Sequence, residues 1–193
     1  MTRHVRILVA AVIGAVLAGT APTARASDLW PGAFKTYEQI GSEILAVETA
    51  HPEIVDVFSI GQSYEGRELY AAKISDNVAL EEGEPEVLID ALHHSNEHVT
   101  VAQALDLLHT LVNGYGVDTA ITALVDERVT WIVFAVNPDG LAYEFTENGP
   151  WNWRKNRQPT PGSRSIGTDL NRNYSAYWRC CSVSVRNPAS RVY

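Results

Sequence analysis

Cysteine is nearly absent from this sequence: there are two in 193 residues, adjacent at Cys180 and Cys181. Neighbouring cysteines bridge each other only through a strained ring, so no disulfide framework can be built from this chain alone. In an oxidising compartment both thiols are expected to find partners elsewhere. Positive charge is scarce as well, with 15 Lys and Arg against 23 Asp and Glu and a net charge of −8. No broad surface can therefore neutralise phosphates, which excludes nucleic acid as a partner. Long apolar runs are missing beyond the first twenty residues, so no later segment is expected to cross a bilayer. Repeats and low-complexity linkers are also lacking, which leaves one domain as the expected organisation.

The one apolar run lies at the start. Arg3, His4 and Arg6 precede an apolar stretch from Ile7 to Leu17, and Ala24-Arg25-Ala26 supplies a small-x-small pattern before Ser27. This reads as a secretory signal peptide over residues 1–26, with a core too short to span a membrane. The expectation is therefore a secreted chain from Ser27 onward, free of the membrane once the leader is removed, and monomeric. Arg3, Arg6 and Arg25 leave with the leader, so the mature chain is more acidic still.

Beyond the leader, strand and helix patterns alternate. Thr36 caps a helix that runs to about Ala50, and His51-Pro52 ends it. Strands are expected at Ile54 to Ile60 and Leu69 to Ile74, joined by a turn over Gly61 to Gly66. A buried strand is expected from Glu86 to Leu92, a helix from Thr100 to Val112, and a short helix from Asp118 to Asp126. Val129 to Val136 is apolar and β-branched, as a central strand should be. Asn137-Pro138-Asp139-Gly140 carries type I turn chemistry, and the rest is expected to be loop. This alternation predicts an α/β domain with a mixed sheet flanked by helices. Its polar segments His93 to His98 and Asn137 to Gly140 fall just past strand ends, where open α/β sheets place their sites.

His93-His94-Ser95-Asn96-Glu97-His98 is dense in zinc donors, and a catalytic zinc usually takes three protein ligands. In one reading His94 and Glu97 both bind the ion, on the turn after a strand. In another, His94 and His98 bind it one helical turn apart with Glu97 as base, the inverted zincin pattern His-x-x-Glu-His. A solvated polar loop is the third. The inverted pattern needs the motif inside a helix, whereas here it follows a strand directly and helical periodicity begins only after it. Arg154 sits in a Trp-rich polar loop, and its planar fork of donors suits an oxyanion or carboxylate.

Five segments in order carry a family resemblance: Ile60 to Leu69 (Ile-Gly-Gln-Ser-Tyr-Glu-Gly-Arg-Glu-Leu), Leu92 to Thr100, Asn137 to Gly140, Trp153 to Pro159 (Trp-Arg-Lys-Asn-Arg-Gln-Pro) and Gly167 to Tyr174 (Gly-Thr-Asp-Leu-Asn-Arg-Asn-Tyr). Together they resemble the zinc carboxypeptidases of the funnelin, or carboxypeptidase A-like, group, and more closely the bacterial carboxypeptidase T branch. The resemblance implies a metallocarboxypeptidase, a secreted protease that hydrolyses the C-terminal peptide bond of peptides and proteins with a free C terminus. It implies His94 and Glu97 as zinc ligands and Arg154 as the catalytic cation that polarises the scissile carbonyl. It assigns the substrate's terminal carboxylate to Asn171 and Arg172, while Asp169 and Asn173 read as structural. Arg157 is a further cation for the same cleft. The acidic run Glu81, Glu82, Glu84 and Glu86 resembles a calcium-binding loop of the bacterial branch, so Ca2+ joins Zn2+ among the expected cofactors.

The pattern also breaks. Asn96 stands where the family carries an arginine, and likeness fades after Trp178, with Arg179, Ser182 and Val183 in place of expected glycines. The resemblance places the third zinc ligand, the clamping tyrosine and the catalytic glutamate downstream of Tyr193. The expectation is therefore a truncated catalytic domain over 27–193, an N-terminal fragment with its C-terminal part missing, two zinc ligands and no turnover. A non-catalytic module that binds peptide C-terminal carboxylates is the alternative, beside the inverted zincin endopeptidase.

Overall fold

The computed structural model describes residues 34–147, 149–176, 178 and 186–193. The expected signal peptide, Cys180 and Cys181, and the departures at 179, 182 and 183 lie outside the described residues.

Helix α1 (Tyr37–Ala50) begins at a capping box: Gln39 N donates to Thr36 Oγ1 at 3.3 Å, and Thr36 N donates to Gln39 Oε1 at 2.8 Å. Two backbone donors that the helix itself leaves orphaned are thus satisfied reciprocally. Ile40, Ile44 and Val47 repeat at helical spacing and are buried. Strands β1 (Val55–Gln62) and β2 (Glu68–Ile74) form the expected hairpin, with a register shift between Ser59 and Gln62. Strand β3 is Glu86–Asp90, α2 is His98–Gly114 and α3 is Thr119–Glu127. The Asp118 side chain caps α3 by accepting from Ala120 N and Ile121 N. Strand β4 is Val129–Val133, followed by α4 (Pro138–Glu144) and a single 3-10 turn, Leu170–Arg172.

The sheet order is β1-β2-β4-β3, with β1/β2 and β2/β4 antiparallel and β4/β3 parallel. The expected mixed sheet with flanking helices is present. Ile44, Ile54, Ile74, Leu92, Leu108, Ile132, Phe134 and Leu141 are almost wholly buried between sheet and helices. Each such side chain contributes roughly 1.5–3 kcal/mol relative to an exposed one.

Two expectations need correction. The strand from Glu86 was expected to be buried, yet β3 is exposed along its whole length, with Leu88 at 65 %. Its apolar composition is that of a strand covered on both faces, but in the described sheet β3 is the edge strand and pairs on one side only. The second concerns Asn137-Pro138-Asp139-Gly140, which opens α4 instead of forming an isolated turn. Asn137 Oδ1 accepts from Gly140 N at 3.0 Å, and Pro138 sits at the first helical position. Proline's fixed φ suits that position and its missing N–H costs nothing there.

Candidate active site

Parallel pairing of β3 and β4 brings two polar segments side by side. Beyond Asp90 and Val133 the two chains remain bonded: Val136 N donates to Ala91 O at 2.9 Å and Asn137 N to Leu92 O at 3.0 Å. Leu92 has φ 58°, the one positive value outside glycine among the described residues. A side-chain-bearing residue pays roughly 1–3 kcal/mol for such a conformation, and surrounding structure must hold it there. Here it is buried, and its N–H donates to Thr100 Oγ1 at 3.0 Å while that hydroxyl donates to Glu97 O at 2.8 Å. This turn redirects the chain so that His94 points inward instead of continuing the strand.

His94 is buried and both ring nitrogens are occupied: Nδ1 lies 2.9 Å from Glu97 Oε1, and Nε2 lies 2.9 Å from Asp169 Oδ1. Asp169 is fully buried. Its Oδ1 also accepts from Asn171 N at 3.0 Å, and its Oδ2 accepts from Arg154 Nε at 2.9 Å. Arg154 Nη1 stands 4.0 Å from Glu97 Oε1. One buried carboxylate therefore ties together His94, Arg154 and the turn that carries Asn171 and Arg172. Sequence reasoning had given Asp169 a structural role only. No local signal marks it, because its partners His94 and Arg154 lie 75 and 15 residues away along the chain.

Asn171 and Arg172 are less engaged. Asn171 is exposed, and Arg172 Nη1 donates to the Asn171 carbonyl at 2.7 Å while its Nε has no partner among the described residues. Arg157 is not a free charge for the cleft. Its guanidinium lies 3.6 Å from the centre of the Tyr143 ring and 4.7 Å from that of Trp153, with Glu65 at 3.9 Å. Lys155 turns the other way and donates to Pro188 O and Ser190 O at 2.8 and 3.0 Å; burial pulls its pKa down. A cavity of about 380 Å³ opens beside Arg154, between Trp153, Ile166 and residues 188–191.

Two asparagines and a serine fasten the loop of Arg154 to the segment of His94. Asn137 Nδ2 donates to Lys155 O at 3.0 Å and reaches Arg154 O and His93 O at 3.4 Å. Ser95 Oγ donates to Trp153 O at 2.8 Å, and Asn96 Nδ2 to Asn152 Oδ1 at 2.9 Å. Gly140 has no room for a side chain, because a Cβ there would meet Ser95 Oγ at 2.7 Å. Behind this, Asp139 accepts from Ser63 Oγ, Glu65 N and Arg67 Nη1 at 2.6, 3.0 and 2.8 Å, which anchors the β1–β2 turn to α4. Burial opposes the Arg67 charge, but the Glu65 and Asp139 carboxylates outweigh it and raise its pKa.

His98 is not part of the His94 cluster. It starts α2, is buried, and binds Glu144 Oε2 through Nε2 at 2.7 Å. His94 precedes the helix, so the i, i+4 geometry that the inverted zincin pattern needs is not formed. His109 is equally occupied, with Nε2 at 2.9 Å from Glu43.

The donor chemistry at His94 and Glu97 fits zinc. Nε2 faces Asp169 and Nδ1 faces Glu97, the arrangement of a histidine ligand with a carboxylate behind its other ring nitrogen. Among the described residues no third His, Cys, Asp or Glu offers a ligand atom there. The acidic loop differs in detail from expectation: Asp76, Glu82 and Glu84 place carboxylate oxygens within 4.8 Å of one another. Glu81 instead faces Lys73 at 3.4 Å, and Glu86 accepts from Trp131 Nε1 at 2.8 Å.

A family model described as zinc carboxypeptidase matches residues 40–193. The chain belongs to the zinc carboxypeptidase family. It is 41% identical over 148 residues to a zinc carboxypeptidase of Saccharothrix mutabilis subsp. capreolus, covering 77% of this chain and 34% of that protein. To carboxypeptidase A1 of Sus scrofa it is 36% identical over 160 residues, covering 83% of this chain and 37% of the relative. It thus spans roughly a third of the length of these relatives. Among solved structures, thrombin-activatable fibrinolysis inhibitor superposes with a TM-score of 0.76 at 28% identity, over 90% of this chain and 42% of that one. Carboxypeptidase A of Helicoverpa armigera gives 0.72 at 29% identity, over 83% and 38%. The mixed sheet and its flanking helices are therefore those of a carboxypeptidase domain, and zinc is the metal that the family name implies.

Proposed function

We propose that this chain carries part of the active site of a zinc metallocarboxypeptidase, which hydrolyses the C-terminal peptide bond of peptides and proteins. The observation that supports it is the convergence of His94 Nδ1, Glu97 Oε1 and the Arg154 guanidinium around one point, with Asp169 behind two of them. When bound, zinc supplies Lewis acidity and lowers the pKa of coordinated water. His94 and Glu97 would hold the metal, and the Asp169 carboxylate against Nε2 would fix the orientation of the His94 ring. Arg154 presents Nη1 toward the metal side to stabilise negative charge on a carbonyl oxygen. Asn171, which is exposed, and Arg172, which is half-buried, take the terminal carboxylate.

With two donors at the described site, the 193-residue chain by itself is expected to bind zinc weakly and to show no turnover. That two-donor set also favours a second reading, a module that binds carboxylates without hydrolysis. Partners in either case are chains with a free C terminus and not nucleic acid. Residues 1–26 are proposed as an export leader, giving an extracellular protein released from the membrane and monomeric. Calcium is proposed for Asp76, Glu82 and Glu84.

The test is a titration of the purified chain, secreted and beginning at Ser27, with a peptide bearing a free or an amidated C terminus, with and without zinc. Binding that requires the free terminus and falls in Arg172→Ala supports carboxylate recognition. Equal binding of the amidated peptide refutes it. Zinc affinity that His94→Ala abolishes supports the metal site, and indifference to that substitution removes it.

A further inference from the structure

The segment of His94 and Glu97 and the loop of Arg154 are separate stretches of chain, and one side chain of α4 bears on both. Glu97 is the N-cap of α2 with no side-chain cap bond, and its half-exposed side chain meets His94 Nδ1 at 2.9 Å. Its neighbour His98 is held from several sides. The His98 ring stacks on Trp151 at 5.3 Å and 12°, stacks with Phe34 at 5.0 Å, and meets Phe145 edge-on at 5.7 Å. Aromatic stacking sets the plane of a ring but gives neither ring nitrogen a hydrogen-bond partner. Among the described residues the partner of His98 Nε2 is Glu144, whose side chain is 1 % exposed.

A buried carboxylate is costly, and a leucine would fill the space without that cost. Burial does raise the Glu144 pKa, against the His98 contact that lowers it. What Glu144 provides is direction. Trp151, on one face of His98, lies three residues before Arg154 in the loop that Ser95 and Asn137 also fasten.

We propose that Glu144 is a positioning residue: through the His98 ring it fixes Glu97 at the head of α2, and through Trp151 it fixes the loop that presents Arg154. The metal half of this rests on the zinc reading of His94 and Glu97. The geometric half does not, because it concerns how two segments are held in the metal-free chain. Removing the carboxylate leaves His98 Nε2 buried without an acceptor, so the stack should loosen locally while the sheet stays closed.

The experiment compares Glu144→Leu with Glu144→Gln, whose amide oxygen can still accept from His98. Hydrogen exchange on the metal-free chain should show the amides of 94–98 and 151–155 opening about tenfold faster in E144L, with β2 and β4 unchanged. E144Q should restore protection to both segments. Zinc affinity should fall about tenfold in E144L and stay within about twofold in E144Q. If E144L fails to fold, Glu144→Asp, which withdraws the carboxylate by one methylene, should show the same paired loosening. Wild-type exchange rates in both segments, or an even acceleration of all amides, would overturn the proposal. Absence of His94-dependent zinc binding in the unsubstituted chain would sink the metal reading instead, and the exchange comparison would still decide the positioning role.

Discussion

Replacing Asp169 by Asn keeps the side-chain shape but removes the charge that three donors share. Asp169 Oδ1 accepts from His94 Nε2 and Asn171 N, and Oδ2 accepts from Arg154 Nε. An asparagine can aim its oxygen at the first pair, but its NH2 then faces the Arg154 N–H, donor against donor. Hydrogen bonds to charged groups contribute about 1.5–3 kcal/mol each, and breaking a buried ion pair costs about 3–5 kcal/mol. Arg154 keeps 17 % side-chain exposure, so water softens its loss. The expected destabilisation of D169N is therefore about 2–4 kcal/mol, which lowers Tm by roughly 4–15 °C for a domain of this size. Zinc affinity should fall about 10–100-fold, the usual effect of losing the carboxylate behind a histidine ligand. Competition with a chelator reads the affinity and urea unfolding reads the stability. Unchanged stability together with zinc affinity within twofold of the parent would show that Asp169 neither holds Arg154 nor orients His94.

Two other predictions concern regions away from His94. Calcium should raise the melting temperature of the chain, and Glu84→Gln should abolish the increment, because burial, Asp76, Glu82 and Asp126 all raise the Glu84 pKa and a divalent cation would relieve that repulsion; no shift with calcium would dismiss the site. Burial, and then Tyr70, push the Tyr37 hydroxyl up to about 12 from 10.0. Its contribution to stability is full below pH 10, where both states are protonated, and is lost as pH rises toward about 12, because the unfolded chain ionises first. Tyr37→Phe should flatten that part of the pH–stability curve, and an unchanged slope would refute the assignment.

Much of this protein is legible in its sequence because the forces are local. The capping pair Thr36 and Gln39, the Asp118 cap, and the periodicity of Ile40, Ile44 and Val47 and of Ala104, Leu105 and Leu108 act within a turn or two of chain. So does the spacing of His94 and Glu97, three residues apart on one turn, which brings Nδ1 and Oε1 within 2.9 Å. The helix at Pro138 was missed although its signals were local too, since Asn-Pro opens a helix as readily as a turn.

Other features depend on residues that only folding brings together. Nothing near Glu86 to Asp90 tells the chain that its apolar run will lie at the edge of the described sheet, because that depends on which strands pair. Asp169 meets His94 across 75 residues, and Glu144 meets His98 across 46. A carboxylate's role is set by the donors that reach it. The sequence by itself determined the class of fold and the spacing that sets Glu97 beside His94. Tertiary structure decided which acid stands behind His94, that Arg157 lies against Tyr143 and Trp153, and that His98 pairs with Glu144 and not with the His94 cluster.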